Sequence, residues 1–404
     1  MIRVPVGNFK IGKEEKRAIN EVLEAGKISE GQKVREFENE WAKFIGTKYA
    51  IVLSSGTAAL IAGLTALKHH KDLNIKPNSK VITTPLTYIA TSNAIVLSGF
   101  EPVYIDIDKE TFGITAENIR THLEQIDDPT EYSLILPVHL MGYPCDMDAI
   151  NKIAKRYGLV TFEDSAQAHG TIYKGKKTGS LSLLSAFSFY MAHNIQAGEL
   201  GAITTNNPEI IRLIRKIKAQ GRICDCPVCL RDQGKCPRLF SCKGEDDFDP
   251  RFTHDLIGYN FKAMEFQAAL GITQLKKAGW IIEKRRENVK YLNKGLAEFS
   301  NILQLPEYNE NLSYLAYPIV IKKPEKISRK KLRWELEKRG VEARPLFGCI
   351  PTQQQAYNYL KEKYQGKLPN AEYVGLNGLY IGCHQYLNKE DLDFVIRLFK
   401  DILK

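Results

Sequence analysis

Between about residues 49 and 220 the chain alternates short β-rich runs with stretches of helical length, and nothing else in the sequence narrows the fold as much. "YAIVLSS", "KVITTP", "EPVYIDID", "YSLILPVH" and "LVTFED" read as strands. Between them "GTAALIAGLTALKHH", "TSNAIVLSGF", "AENIRTHLEQI" and "DMDAINKIAKRYG" read as helices. Such alternation predicts an α/β fold, with a mostly parallel sheet covered by helices on both faces and a ligand site at the strand ends. Residues 222–251 break the pattern with cysteines, glycines, prolines and the acidic "GEDDFDPR", and are too long for a mere connector. Beyond them "AMEFQAALGITQLKKAGWIIEKRRENVKYLNKGLAEF" reads as a long helix or helix pair. "LSYLAYPIVIKK", "KLRWELEKRG" and "DLDFVIRLFKDILK" then suggest a smaller α+β domain. The expected division is a large domain over 1–250, carrying the 222–251 insertion, and a C-terminal domain over 251–404.

With 404 residues, 44% of them hydrophobic and 26% charged, the chain can bury a sizeable core. No run approaches the roughly 18 apolar residues of a membrane span, so a cytoplasmic protein without a membrane partner is expected. The net charge of +10 is spread over mixed-sign helices such as "EKISRKKLRWELEKRG". No motif for nucleic acid accompanies it.

Three stretches carry chemistry. "LSSGTAAL" follows a strand and opens a helix, so Gly56 and Thr57 would offer a phosphate the free N–H groups and positive end of that helix; a plain turn and helix cap would look similar. "FEDSAQAHG" sets Asp164 at the carboxyl end of a strand, where a carboxylate can hold a proton on a pyridine nitrogen or merely cap a turn. The third, "FSFYMAHNIQAGELGAITTNN", contains no lysine and presents His193 instead. Of eight cysteines, Cys224, Cys226, Cys229, Cys236 and Cys242 fall within nineteen residues, which in a cytosolic chain suggests metal rather than disulfides.

Taken in order, these motifs resemble the DegT/DnrJ/EryC1/StrS sugar aminotransferase family. The resemblance starts at "GKISEGQKVREFENEWAKFIGTKYAIVLSSGTAAL" and continues through "LPVHLMGYPCDMDAI", "FEDSAQAHG" and "LIGYNFKAMEFQAALG" to "LPNAEYVGLNGLYIG". It implies the aspartate aminotransferase fold, that is, fold type I of the enzymes that use pyridoxal 5′-phosphate (PLP). It further implies that Asp164 pairs with the pyridine nitrogen, that Gln167 lies near the 3-hydroxyl, and that Tyr88 stacks on the ring. Gly56, Thr57 and Ser188 would hold the phosphate, and Asn260 would reach it from a neighbouring subunit, which implies a homodimer.

In ordinary members the residue matching His193 is the lysine that binds the cofactor covalently. Imidazole cannot form that bond, but its unperturbed pKa of about 6.5 suits proton transfer near neutral pH. Histidine here resembles the branch of nucleotide-sugar 3-dehydratases, which use pyridoxamine 5′-phosphate (PMP) to remove the C3 hydroxyl of a nucleotide-diphosphate-linked 4-keto-6-deoxyhexose. Within it, "GRICDCPVCLRDQGKCPRLF" resembles the iron–sulfur type acting on CDP-4-keto-6-deoxyglucose, which implies an electron-donating reductase as partner. Ala166 stands where that type has a further cluster ligand, and the spacing inside the loop differs. Thiolates bind zinc as well as iron. A nucleotide-sugar aminotransferase-like enzyme, or a noncatalytic homologue with a structural zinc, are the alternatives.

Overall fold

The computed structural model describes residues 2–226, 234–236, 249 and 251–404. Among them, the five runs read as strands form β1 (Tyr49–Leu53), β2 (Lys80–Thr83), β3 (Glu101–Tyr104), β4 (Tyr132–Leu136) and β5 (Val160–Asp164). A small hairpin, β6 (Ile172–Tyr173) with β7 (Lys176–Lys177), follows. Then come two strands that the sequence pattern did not single out, β8 (Leu184–Ser188) and β9 (Gly201–Thr205). The main sheet has the order β1-β9-β8-β5-β4-β2-β3. Its neighbours are parallel except around β9, which runs antiparallel to both β1 and β8. The sheet is therefore mixed. β4 and β9 are buried along their whole length, as strands covered on both faces must be, which explains their near-continuous apolar runs.

The helix Gly56–His69 buries every residue from Ala58 to Leu67. An all-apolar circumference fits a helix enclosed on all sides, and this one packs on β8, β9 and the helices Ala90–Leu97 and Pro208–Ile217. Its start is fixed by Ser55, whose side chain accepts from the Ala58 N–H at 3.1 Å. Replacing such a cap by alanine costs about 1 kcal/mol.

A second apolar cluster supports the segment between β8 and β9. Fully buried Trp41 meets Phe189 at 4.8 Å, Phe187 at 5.0 Å and His169 at 5.4 Å between ring centroids. Burying a large aromatic side chain of this kind contributes on the order of 3 kcal/mol.

The long helical stretch is a pair, Glu265–Lys276 and Ala278–Leu296, broken at Lys277. Buried Glu265 caps the helix Gln32–Ile45 from a distance, its carboxylate accepting the N–H groups of Gly31, Lys33 and Val34 at 2.8–2.9 Å. A four-stranded antiparallel sheet of β10 (Leu303–Gln304), β11 (Tyr317–Ile321), β12 (Ala343–Pro345) and β13 (Gly378–Ile381), ordered β10-β11-β13-β12, builds the C-terminal part. Helices Arg329–Lys338 and Lys389–Leu403 complete it. Among the described residues no helix is long and apolar enough to cross a membrane.

The cysteine-rich insertion leaves the body of the protein through a narrow stem. Gln220 donates to the Tyr259 carbonyl at 2.8 Å and Ile223 to that of Thr253 at 3.0 Å. Gly221 has φ +80 and touches the Leu256 carbonyl so closely that no Cβ could fit. Cys224 and Cys226 sit half-buried at the end of this stem and Cys236 is buried, whereas Cys229 and Cys242 lie outside the described residues.

Candidate active site

The parallel strands deliver their carboxyl ends, and the loops that follow, to one edge of the main sheet. Asp164 ends β5 and is buried, 4% exposed. Thr91 donates its hydroxyl to one carboxylate oxygen at 2.8 Å, and the Ala166 N–H reaches the other at 3.1 Å. Burial still raises the pKa of this carboxyl above the ordinary value, the two hydrogen bonds opposing it. A cationic partner in front of Asp164 would therefore be strongly favoured. Next to it, Gln167 accepts from the Met141 N–H at 3.0 Å. Met141 adopts φ +55 to present that donor.

Ser188 closes β8 and faces the start of the Gly56–His69 helix. A Cβ on Gly56 would stand 2.5 Å from the Ser188 Cβ and 3.0 Å from its hydroxyl oxygen, so only glycine lets the two backbones approach. Helix N-terminus, half-buried Thr57 and serine hydroxyl thus form one cradle of donors. Tyr88 follows β2, 61% exposed, with its ring 6.1 Å from that of Phe347. Asn260 is exposed and bridges to Ala219 through its backbone. Its neighbour Phe261 accepts from the Ser54 N–H at 2.9 Å, which ties the stem of the insertion to the residue before the cradle.

His193 lies in the loop between β8 and β9, closed by a bridge between Tyr190 and Gly198. Its backbone N–H donates to the Tyr190 carbonyl at 2.9 Å, and the Gln196 side chain donates to the His193 carbonyl at 2.9 Å. The imidazole faces His169 at 5.9 Å and Tyr190 at 6.2 Å between ring centroids. Its Nδ1 is buried and, among the described residues, has no hydrogen-bond partner. Burial lowers its pKa to about 4, with the positive charge of Arg285 acting in the same sense and a backbone contact at Ser188 opposing both. The imidazole is thus a neutral group at neutral pH, well below the 6.5 that the residue type alone suggests.

The lysines nearest in sequence point elsewhere. Lys174 pairs with Asp148 at 2.7 Å, Lys177 donates to the Phe44 carbonyl at 2.6 Å, and Lys176 stands exposed on the β6–β7 hairpin. Thr91 and the Met141 N–H are the contributors that sequence reasoning missed. "LTYIATSN" offered no signal for the first, and a backbone donor has no sequence signature at all.

A buried carboxylate, a glycine–serine cradle at a helix N-terminus and an orphaned ring nitrogen fit a phosphorylated pyridine cofactor. The architecture is that of the fold type I PLP-dependent enzymes. The E. coli GDP-4-keto-6-deoxy-D-mannose-3-dehydratase with bound hydrated PLP is similar in structure, with a TM-score of 0.86 at 29% identity over 100% of both chains. The chain belongs to the DegT/DnrJ/EryC1/StrS aminotransferase family, whose profile matches residues 9–400. It is also similar to the GDP-4-keto-6-deoxy-D-mannose 3-dehydratase of Escherichia coli O55:H7, 30% identical over 99% of this chain and 100% of that protein. The GDP-perosamine synthase of Caulobacter vibrioides is likewise 30% identical, over 99% and 98%. An uncharacterized protein of Methanocaldococcus jannaschii is 35% identical over 97% and 96%.

Proposed function

We propose that the protein removes the C3 hydroxyl of a nucleotide-linked 4-keto-6-deoxyhexose, using PMP held without a covalent bond. The observation that supports this reading is His193, half-buried and neutral, with a buried ring nitrogen that has no partner among the described residues and no lysine in its loop. Two of the similar proteins are named as a 3-dehydratase and a perosamine synthase, so substrate class is shared while the reaction divides. The residue at position 193 favours dehydration.

When bound, the cofactor supplies an amine for the C4 ketone and a ring that withdraws electrons. Gly56, Thr57 and Ser188 hold its phosphate, Asp164 keeps the pyridine nitrogen protonated, Gln167 meets the 3-hydroxyl and Tyr88 covers the ring face. His193 takes the proton from C4′ and passes it to the departing C3 hydroxyl, which leaves as water. That elimination needs no external electrons. Net deoxygenation takes two, returned by an amino donor or by an electron-donating reductase.

For that loop the proposal is an iron–sulfur cluster, with zinc as the alternative. Among the described residues Cys224, Cys226 and Cys236 join no group of three metal-ligating side chains, and Cys229 and Cys242 lie outside them. No step above passes through a metal. The dimer belongs to the same proposal, with Asn260 entering a neighbouring subunit's phosphate cradle.

The deciding experiment incubates PMP-loaded protein with GDP- and CDP-4-keto-6-deoxyhexoses and follows C3 by mass spectrometry in H₂¹⁸O. Loss of the C3 oxygen supports dehydration, and a C4 amino sugar formed with intact C3 would overturn it in favour of amino transfer. Iron, acid-labile sulfide and zinc analysis of anaerobically purified protein tests the loop, and a colourless, metal-free chain removes the cluster from the proposal.

A further inference from the structure

Beside His193, starting at the next residue in sequence, lies a buried polar layer that the proposed reaction does not use. Asn194, next in sequence and fully buried, donates to the Ser313 hydroxyl at 2.8 Å and to the Tyr314 carbonyl at 3.1 Å. Arg285, on the helix Ala278–Leu296, donates to that same Tyr314 carbonyl at 3.3 Å and also to the Leu315 carbonyl. Its Nε donates to Gln385 Oε1 at 3.3 Å. One carbonyl therefore joins the residue after His193 to a guanidinium from the other half of the chain.

The segment carrying that carbonyl is itself immobilised. Ser313 N–H donates to the Thr171 hydroxyl at 2.9 Å and Leu315 N–H to the Met141 carbonyl at 3.2 Å. Met141 is the residue that holds Gln167. The same short stretch thus braces both arms of the candidate site.

Arg285 is unusual in its company. It is 0% exposed, its described partners are neutral oxygens and the Cys383 thiol, and among the described residues no carboxylate pairs with it. Its Nη2 has no partner, nor have Asn194 Oδ1, Gln385 Nε2, His169 Nε2 or His193 Nδ1. A buried cation without a counter-ion is costly and persists where its field or geometry is needed. The titratable groups facing the His193 ring are His169 from the turn after β5, Tyr190 from its own loop and Arg285 from the helix behind. Cys383 and His384 lie against Arg285 rather than against His193. Arg285 is the cation here at neutral pH, since burial, with the charge of Arg285 in the same sense, lowers His169 and His384, and burial raises the Cys383 thiol against the opposing pull of Arg285.

We propose that Arg285 is a positioning residue for His193: an uncompensated buried cation, tied to the His193 loop through the Tyr314 carbonyl and Asn194, that keeps the imidazole proton-free and ready to accept. The inference deepens the proposed function, because a base that must take a proton from C4′ has to be empty when the substrate arrives. A like charge disfavours the protonated ring, while the shared carbonyl fixes its distance. Lysine at position 285 would keep the charge but lose the planar fork that spans Tyr314, Leu315 and Gln385.

The test reads the imidazole rather than turnover, so it stands apart from the reaction assigned above. Protein labelled with ¹³C-histidine is titrated by NMR, with His193→Gln identifying the resonance. Arg285→Gln removes the charge, and Gln385→Glu leaves the arginine in place but sets a carboxylate against its Nε. Both are expected to raise the His193 titration by about one unit, as removal or neutralisation of a nearby like charge does, and Arg285→Lys to shift it less. If Arg285→Gln does not fold, Gln385→Glu alone decides. A folded variant of either kind whose His193 titrates within about 0.3 unit of the parent, a fraction of what one nearby charge imposes, overturns the proposal. If the titration moves as expected while no sugar is dehydrated, the positioning role stands and the reaction assignment falls.

Discussion

Buried Asp164 and half-buried His193 are ionisable groups at the same edge of the main sheet, yet their surroundings treat them in opposite ways. Both oxygens of Asp164 have donors, the Thr91 hydroxyl and the Ala166 N–H, supplied by rigid neighbours. His193 keeps an unpartnered Nδ1 inside a loop and faces rings rather than counter-charges. A saturated carboxylate is suited to holding one partner through a whole reaction cycle. An imidazole with one unsaturated nitrogen is suited to gaining and losing a proton there, because among the described residues Nδ1 holds no hydrogen bond that must be broken first. In the proposed reaction the difference would separate the group that holds from the group that reacts.

The sharpest way to break this contrast is to remove the reacting group. His193→Asn should lower dehydration by about 10²–10⁴-fold, the range for a lost general acid–base, without weakening PMP binding comparably. His193→Lys should instead create a covalent cofactor link, trapped by borohydride and seen as a mass increase, and should lose dehydration. Unchanged turnover in either variant would remove His193 from its role.

Acid should expose the same contrast in stability. His193 and His384 titrate in the folded chain at about 4 and about 3, both chiefly because burial disfavours the charged ring. The unfolded chain takes up those protons near 6.5, so stability is full above that pH and falls as the pH drops toward 4. The loss is about 1.4 kcal/mol for each unit of separation per histidine. Urea unfolding at pH 7 and pH 5 measures it, and equal midpoints would show that these rings are not buried neutral.

Smaller effects belong to the holding group. Asp164→Asn removes the charge opposite the pyridine nitrogen and should weaken PMP binding by roughly 10–100-fold, the worth of a charge-assisted hydrogen bond. Equilibrium dialysis reads it directly. Thr91→Val leaves the carboxylate in place but strips one donor, with an expected cost of about 1–3 kcal/mol in stability. If Thr91→Val cost as much cofactor affinity as Asp164→Asn, the threonine would have to touch the ligand itself.

Much of the site was legible because its residues sit where strands turn into helices. "LSSGTAAL" became a strand, a serine cap and a helix, and "FED" became the end of β5, since apolar runs and capping residues act over a few positions. The strands β8 and β9 escaped notice because "LSAFS" and "GAITT" are rich in small and hydroxyl-bearing residues. Their antiparallel turn is what creates the loop for His193. The helical stretch from Glu265 read correctly as one or two helices, but its break at Lys277 has no local signature.

The sequence by itself determined the element types, the family and the exchange of lysine for histidine at position 193, because periodicity, capping and residue chemistry are local properties. Only the tertiary structure decided that Thr91 meets Asp164 across 73 positions, that Glu265 caps a helix 231 positions or more away, and that Arg285, with no carboxylate partner among the described residues, acts on His193. Such contacts follow from how sheets and helices pack. The titration of a buried group follows from what that packing excludes, and no residue carries this information alone.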